Sequence, residues 1–236
     1  MRWLTLILSL LSLSSQAQDE CVVFSSGESA YAKFMGLQSR SIQWEEIDYV
    51  YHIYYTDSFP DSYIPEDIIM DAHEHLNEEF EEAMISFDLV SIAYHDFDEF
   101  WAAPAILASN NICVPYSSSG WNWMESYVED LIWDREAYMN VHIFPQFCSD
   151  ILGFAWTAYN STDLNGVWVR SDMMGRYGPQ LTDSARMENK TLIHEVGHFV
   201  GLHHVFRNVD NCGQVLGDCL QTGDFVCDTP PTKINW

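Results

Sequence analysis

The sequence has 236 residues, 47% of them hydrophobic and 14% aromatic, which is enough to bury one large core and excludes a disordered chain. Lys and Arg number 10 against 35 Asp and Glu, a formal net charge of −25, and such a surface repels nucleic acid and anionic lipid. No segment is of low complexity, and no period of 20 to 50 residues recurs.

The chain opens MRWLTLILSLLSLSSQAQ, which reads as an export signal over residues 1–18. Arg2 supplies the positive start, Trp3 to Leu13 the apolar run, and Ser15-Gln16-Ala17 a small-x-small cleavage site. The run falls short of the roughly 20 apolar residues that span a bilayer. The expected product is therefore secreted, with 9 Lys plus Arg left against 35 acidic residues. An exported chain makes disulfide partners the first expectation for Cys21, Cys113, Cys148, Cys212, Cys219 and Cys227. Six cysteines allow fifteen pairings, and the sequence does not choose among them.

Residues 19–45 show little regular pattern and read as an N-terminal lead-in or short prosegment. YVYHIYY (49–55) is β-rich and aromatic, so a buried strand is expected. A helix follows, with Pro65 in its first turn and Ile68, Ala72, Leu76 and Phe80 on one face. His73 and His75 point to different sides of it and read as surface residues. A second strand is expected at 90–94. A loop is expected around SSSGWNW, then a helix over 123–138 from the spacing of Met124, Tyr127, Val128, Leu131 and Ile132. Short strands are expected at 140–144, 153–158 and 166–170, and a helix from Thr191 to about Gly201. This order describes a single α/β (α+β) domain over 46–236.

That last helix carries the chemistry. In HEVGHFVGLHH (194–204), His194 and His198 lie one turn apart, so both imidazoles leave the same face. Two such nitrogens suit one zinc ion, and Glu195 stands beside them to take a proton from a zinc-activated water. His204, on a continued helix, would lie roughly 240° around and about 9 Å further along, out of reach. Gly201 is where the chain can bend back. The spacing H-E-x-x-H-x-x-G-x-x-H then selects His204 as third ligand over His203. With three neutral ligands the fourth position is open, which is the arrangement of a zinc peptidase with Glu195 as general base. The competing reading is a truncated or inactive zinc-binding exported module with a protein-interaction role.

HEVGHFVGLHHVF, followed by GDFVCDTPP at 223–231, resembles the pappalysin-type metzincins, also called the cytophagalysin family of zinc endopeptidases. MNVHIF, LGFAW and NGVWV precede it in the family's order, and the resemblance spans about 46–232. It implies a twisted mixed sheet with a backing helix and an active-site helix, a latency-keeping prosegment, structural calcium and protein or peptide substrates. Asp224, Asp228 and Thr229 are the calcium candidates, against a solvated turn beside a disulfide-linked Cys227. Cys21 is open to two roles, a prosegment thiolate on zinc or a disulfide. The family places a methionine turn after the third histidine, and no Met follows Met187 here. The C-terminal subdomain is thus expected to be incomplete. Two sequons, at Asn160 and Asn189, complete the features of note.

Overall fold

The computed structural model describes residues 44–98, 126–147, 151–156, 158, 166–175 and 189–204, with the backbone of 21–24, 114–115 and 148. Six strands form one mixed sheet in the order β1-β7-β8-β5-β2-β3. They are β1 (Cys21–Phe24), β2 (Glu45–Tyr55), β3 (Ile85–Asp96), β5 (Met139–Phe144), β7 (Gly153–Trp156) and β8 (Val167–Arg170). Strands β8, β5, β2 and β3 run parallel, and β7 is antiparallel to β8. β1 lies parallel to β7 on its outer side. β4 (Val114–Pro115) and β6 (Phe147–Cys148) make a separate two-stranded pair.

Alternation along the strands divides the core in two. Tyr49, Tyr51, Ile53, Val141, Ile143, Val167, Val169 and Ala155 face the helices α1 (Glu66–Phe80) and α2 (Lys190–Phe199). Tyr54, Phe144, Trp168 and Phe154 face the other way, against Phe97 and Val128. Both faces being covered explains why β2 is buried continuously from Tyr49 to Tyr54 rather than alternately. One extra residue, Val90, bulges from β3 between the partners of Tyr49 and Val50 and is 42% exposed.

α1 buries Ile69, Ala72, His75, Leu76 and Phe80. Asn77 then clamps the start of β3, accepting from Phe87 N at 2.8 Å and donating to Phe87 O at 3.1 Å. α2 is buried at every residue from Thr191 to Phe199, against the sheet on one side. A helix hidden on all sides is expected to be apolar throughout. This one carries His194, Glu195 and His198 inside.

Four expectations change. Residues 19–45 hold a strand, β1, whose pairing comes from β7 rather than from any pattern of its own. The helix expected over 123–138 is a short helical turn at 126–128 within the described residues. Polar side chains take its backbone instead: Asn140 accepts from Trp133 N and donates to Trp133 O, and Asp134 accepts from Glu136 N. His75 is 9% exposed and bonds Glu79 at 3.1 Å, while His73 Nδ1 meets the Tyr49 hydroxyl at 2.9 Å, so neither is a free surface residue. Pro65 caps α1 from outside instead of sitting in its first turn. The loop around SSSGWNW lies outside the described residues.

Candidate metal centre

α2 begins at Asn189, which adopts the left-handed conformation at φ 56° and is fully buried. Its Oδ1 accepts from Gly175 N–H at 2.7 Å, tying the helix start to the loop after β8. The sequon at Asn189 is therefore sealed in the folded chain, and the one at Asn160 lies outside the described residues.

The other end is closed by a Schellman motif. Leu202 N–H bonds Gly197 O and Gly201 N–H bonds His198 O, both at 2.9 Å. Gly201 has φ 104°, a conformation that a side chain at this position would strain, although space around it is open. This turn reverses the chain and returns His204 to the helix.

The result is a convergence of three nitrogens. Nε2 of His198 lies 2.9 Å from that of His194 and 3.0 Å from that of His204, and the remaining pair is 3.1 Å apart. His198 and His194 cross at 88°, and His198 and His204 at 84°. Leu202 O, which can only accept, bonds His198 Nδ1 at 2.8 Å. That bond places the ring proton on Nδ1 and leaves the Nε2 lone pair aimed at its neighbours. Burial pushes the pKa of His194 down to about 3 and that of His204 to about 4, and holds His198 well below 6.5, with the neighbouring imidazoles adding to the effect for His194 and His198. All three are neutral at ordinary pH.

Three imidazole nitrogens converging in a buried place form a donor set that a single cation can join. A tetrahedral zinc with bonds of about 2.0–2.1 Å needs ligand nitrogens about 3.3 Å apart. The observed triangle comes close to that size, and the all-imidazole donor set suits zinc. His194, His198 and His204 are the only such cluster of His, Cys, Asp or Glu among the described residues. His203 is buried but takes no part in it. Glu195, next to His194 in α2, is fully buried. The carbonyl of Leu202 went unread in the sequence, because a backbone acceptor leaves no side-chain signal. Asp224, Asp228 and Thr229, together with Cys113, Cys212, Cys219 and Cys227, lie outside the described residues.

The sheet, the buried helix and the imidazole triangle together set out a candidate metal centre. Residues 122–235, just under half of the chain, match the family model of pregnancy-associated plasma protein-A, a peptidase family. An extracellular metalloprotease of Arthroderma gypseum is 33% identical over 94 residues, covering 39% of this chain and 30% of that protein. Human pappalysin-1 is 26% identical over 107 residues, which is 42% of this chain and 6% of that protein. The chain thus spans less than a third of the length of the curated relatives it matches. Among solved structures, mature mirolysin of Tannerella forsythia in complex with a cleaved peptide superposes with a TM-score of 0.58. The match is at 20% identity, over 82% of this chain and 74% of that one. Promirolysin of the same organism gives 0.60 over 85% and 68%. These likenesses show the fold.

Proposed function

We propose that this protein is a secreted zinc endopeptidase in which Glu195 is the general base. The observation that carries the reading is the convergence of His194, His198 and His204 at 2.9–3.1 Å, with Glu195 buried on the same helix. Zinc, when bound, supplies a Lewis acid that polarises a peptide carbonyl and lowers the pKa of water. The three imidazoles hold it, each already neutral through burial. Glu195 takes the proton of the attacking water and returns it to the leaving amine. The burial of this carboxylate keeps bulk water away from the transfer.

The substrate in this reading is an extended peptide paired to the outer edge of β7, the strand that runs beside α2. β1 lies on that edge here, in parallel, and we read residues 19–45 as a prosegment that fills it. The names of the relatives favour export, and no helix among the described residues is long and apolar enough to cross a membrane. Residues 1–18 are the proposed signal. Calcium held by Asp224, Asp228 and Thr229 belongs to the same proposal, tested by calcium addition to metal-stripped protein.

The deciding experiment is zinc content and proteolysis on one purified sample, beside Glu195→Gln. One zinc per chain, with turnover lost about 10²- to 10⁴-fold in Glu195→Gln, is the expected result. Zinc without turnover in either protein would leave the inactive exported module. Absence of zinc would overturn the ligand assignment.

A further inference from the structure

β7 comes close to α2 at Gly153. A Cβ at this position would lie 2.9 Å from Glu195 Cγ, 2.9 Å from the carbonyl oxygen of Trp168 and 3.0 Å from Thr191 Cγ2. The two contacts at 2.9 Å are shorter than real Cβ atoms show, and the third is tighter than most, so something must move if one is added. Trp168 O belongs to β8, held in register by the pairing of Gly153 with Val169 and Phe154 with Trp168. That wall is stiff. Thr191 and Glu195 stand four residues apart on one stripe of α2, so the helix side must yield.

Glu195 Cγ is the atom from which its carboxylate is aimed. To reach ordinary van der Waals contact of 3.4 Å or more it would retreat from 2.9 Å by half an ångström or further. Misplacing a reacting group by about 1 Å costs on the order of 10²-fold in rate. We propose that Gly153 is a positioning residue for Glu195: the missing side chain forms a notch in β7 that seats the Glu195 stem and fixes where its carboxylate points. The inference rests on the reading of Glu195 as general base.

The test compares Gly153→Ala and Glu195→Gln with the unaltered zinc-loaded protein. Turnover of a peptide substrate is read together with the affinity for acetohydroxamate by titration calorimetry. A hydroxamate gives its hydroxyl proton to a nearby carboxylate as it binds at a zinc centre, so its affinity reports the carboxylate's placement without turnover. For Gly153→Ala the expected result is one zinc retained, kcat down about 10- to 100-fold with KM changed less than about twofold, and acetohydroxamate weakened about tenfold. Glu195→Gln should weaken it at least as much.

If Glu195→Gln loses turnover and acetohydroxamate affinity while Gly153→Ala keeps both, the notch does not position Glu195 and this inference alone falls. If Glu195→Gln keeps both, the general-base reading falls and takes this one with it. Should Gly153→Ala fail to fold, adding Thr191→Ser removes the Cγ2 contact and opens one wall, and the same readouts apply to the double variant. Failure of both to fold would make Gly153 a residue of the fold only, and would overturn the proposal.

Discussion

The molecule buries two histidine clusters, and they are organised in opposite ways. On α2, three Nε2 atoms face one another across 2.9–3.1 Å. In the sheet, His52, His95 and His142 form a line. His52 Nε2–H donates to Asn140 Oδ1 at 3.0 Å, so its Nδ1 accepts, and His95 Nε2–H donates to it at 3.1 Å. His142 stacks between His52, at 5.0 Å between ring centres, and Trp168, at 4.0 Å. Burial depresses the pKa in both clusters, with His52 brought down to about 4 and His142 well below its ordinary value. Burial and a low pKa therefore do not distinguish a metal site from a structural one. The convergence of three ring nitrogens is what sets the proposed metal site apart.

Substitutions in each cluster sharpen that contrast. The largest effect belongs to His198→Ala, which removes one corner of the triangle. Zinc affinity should fall by more than the roughly 10- to 100-fold typical of losing an outer partner, read by competition with a chromophoric chelator. A variant that still holds zinc tightly would break the distinction.

Asn140→Ala comes next. It strips the partner from His52 Nε2–H and from both backbone groups of Trp133. Urea unfolding should show about 2–3 kcal/mol lost, while the zinc content stays at that of the parent.

Acid gives a third test. His52 titrates near 6.5 in the unfolded chain and at about 4 in the fold, and the His142 shift has the same sign. The unfolded state takes protons first, so this contribution to stability is whole above about pH 6.5 and is lost as the pH falls toward 4. His142→Phe keeps the ring stack and removes one such group. Its urea midpoint should drop less than the parent's between pH 7 and pH 5. At pH 7 the two should differ by about 1 kcal/mol, because the lost Tyr54 bond to Nδ1 is offset by removing a buried Nε2 that has no partner. Equal acid sensitivity would mean that the sheet cluster does not report pH.

The smallest effect is expected at His95, which is only partly buried. His95→Ala should cost about 1 kcal/mol or less in the same urea assay, with zinc binding and turnover unchanged.

How much of this was legible in the sequence follows from the range of the forces involved. The triangle was readable because helix geometry places residues 194 and 198 together and one glycine turns the chain for 204. All of it lies within eleven residues. The burial of α1 through Ala72, Leu76 and Phe80 was readable for the same local reason. The sheet cluster was not. His52 and His142 are neighbours only through the pairing of β2 with β5, 90 residues apart, and the sequence contains no register. Their settings, YHIYY and NVHIF, did carry one signal: a single imidazole in an otherwise apolar strand. The failed helix at 123–138 teaches the converse. Its apolar spacing was sound, but Asn140 and Asp134 offered the backbone better partners than the next helical turn.

One feature at the start of α2 reaches into how the protein is made. Asn189-Lys190-Thr191 is an acceptor tripeptide whose asparagine is fully enclosed and whose side-chain oxygen is taken by Gly175. An oligosaccharide can attach there only while the helix that carries His194 and His198 is still unformed. In a host with that machinery the tripeptide works as a clock: chains that fold promptly leave unmarked, and those that linger carry a sugar in place of a helix start. The fraction bearing glycan at Asn189 would then count the molecules that missed their fold.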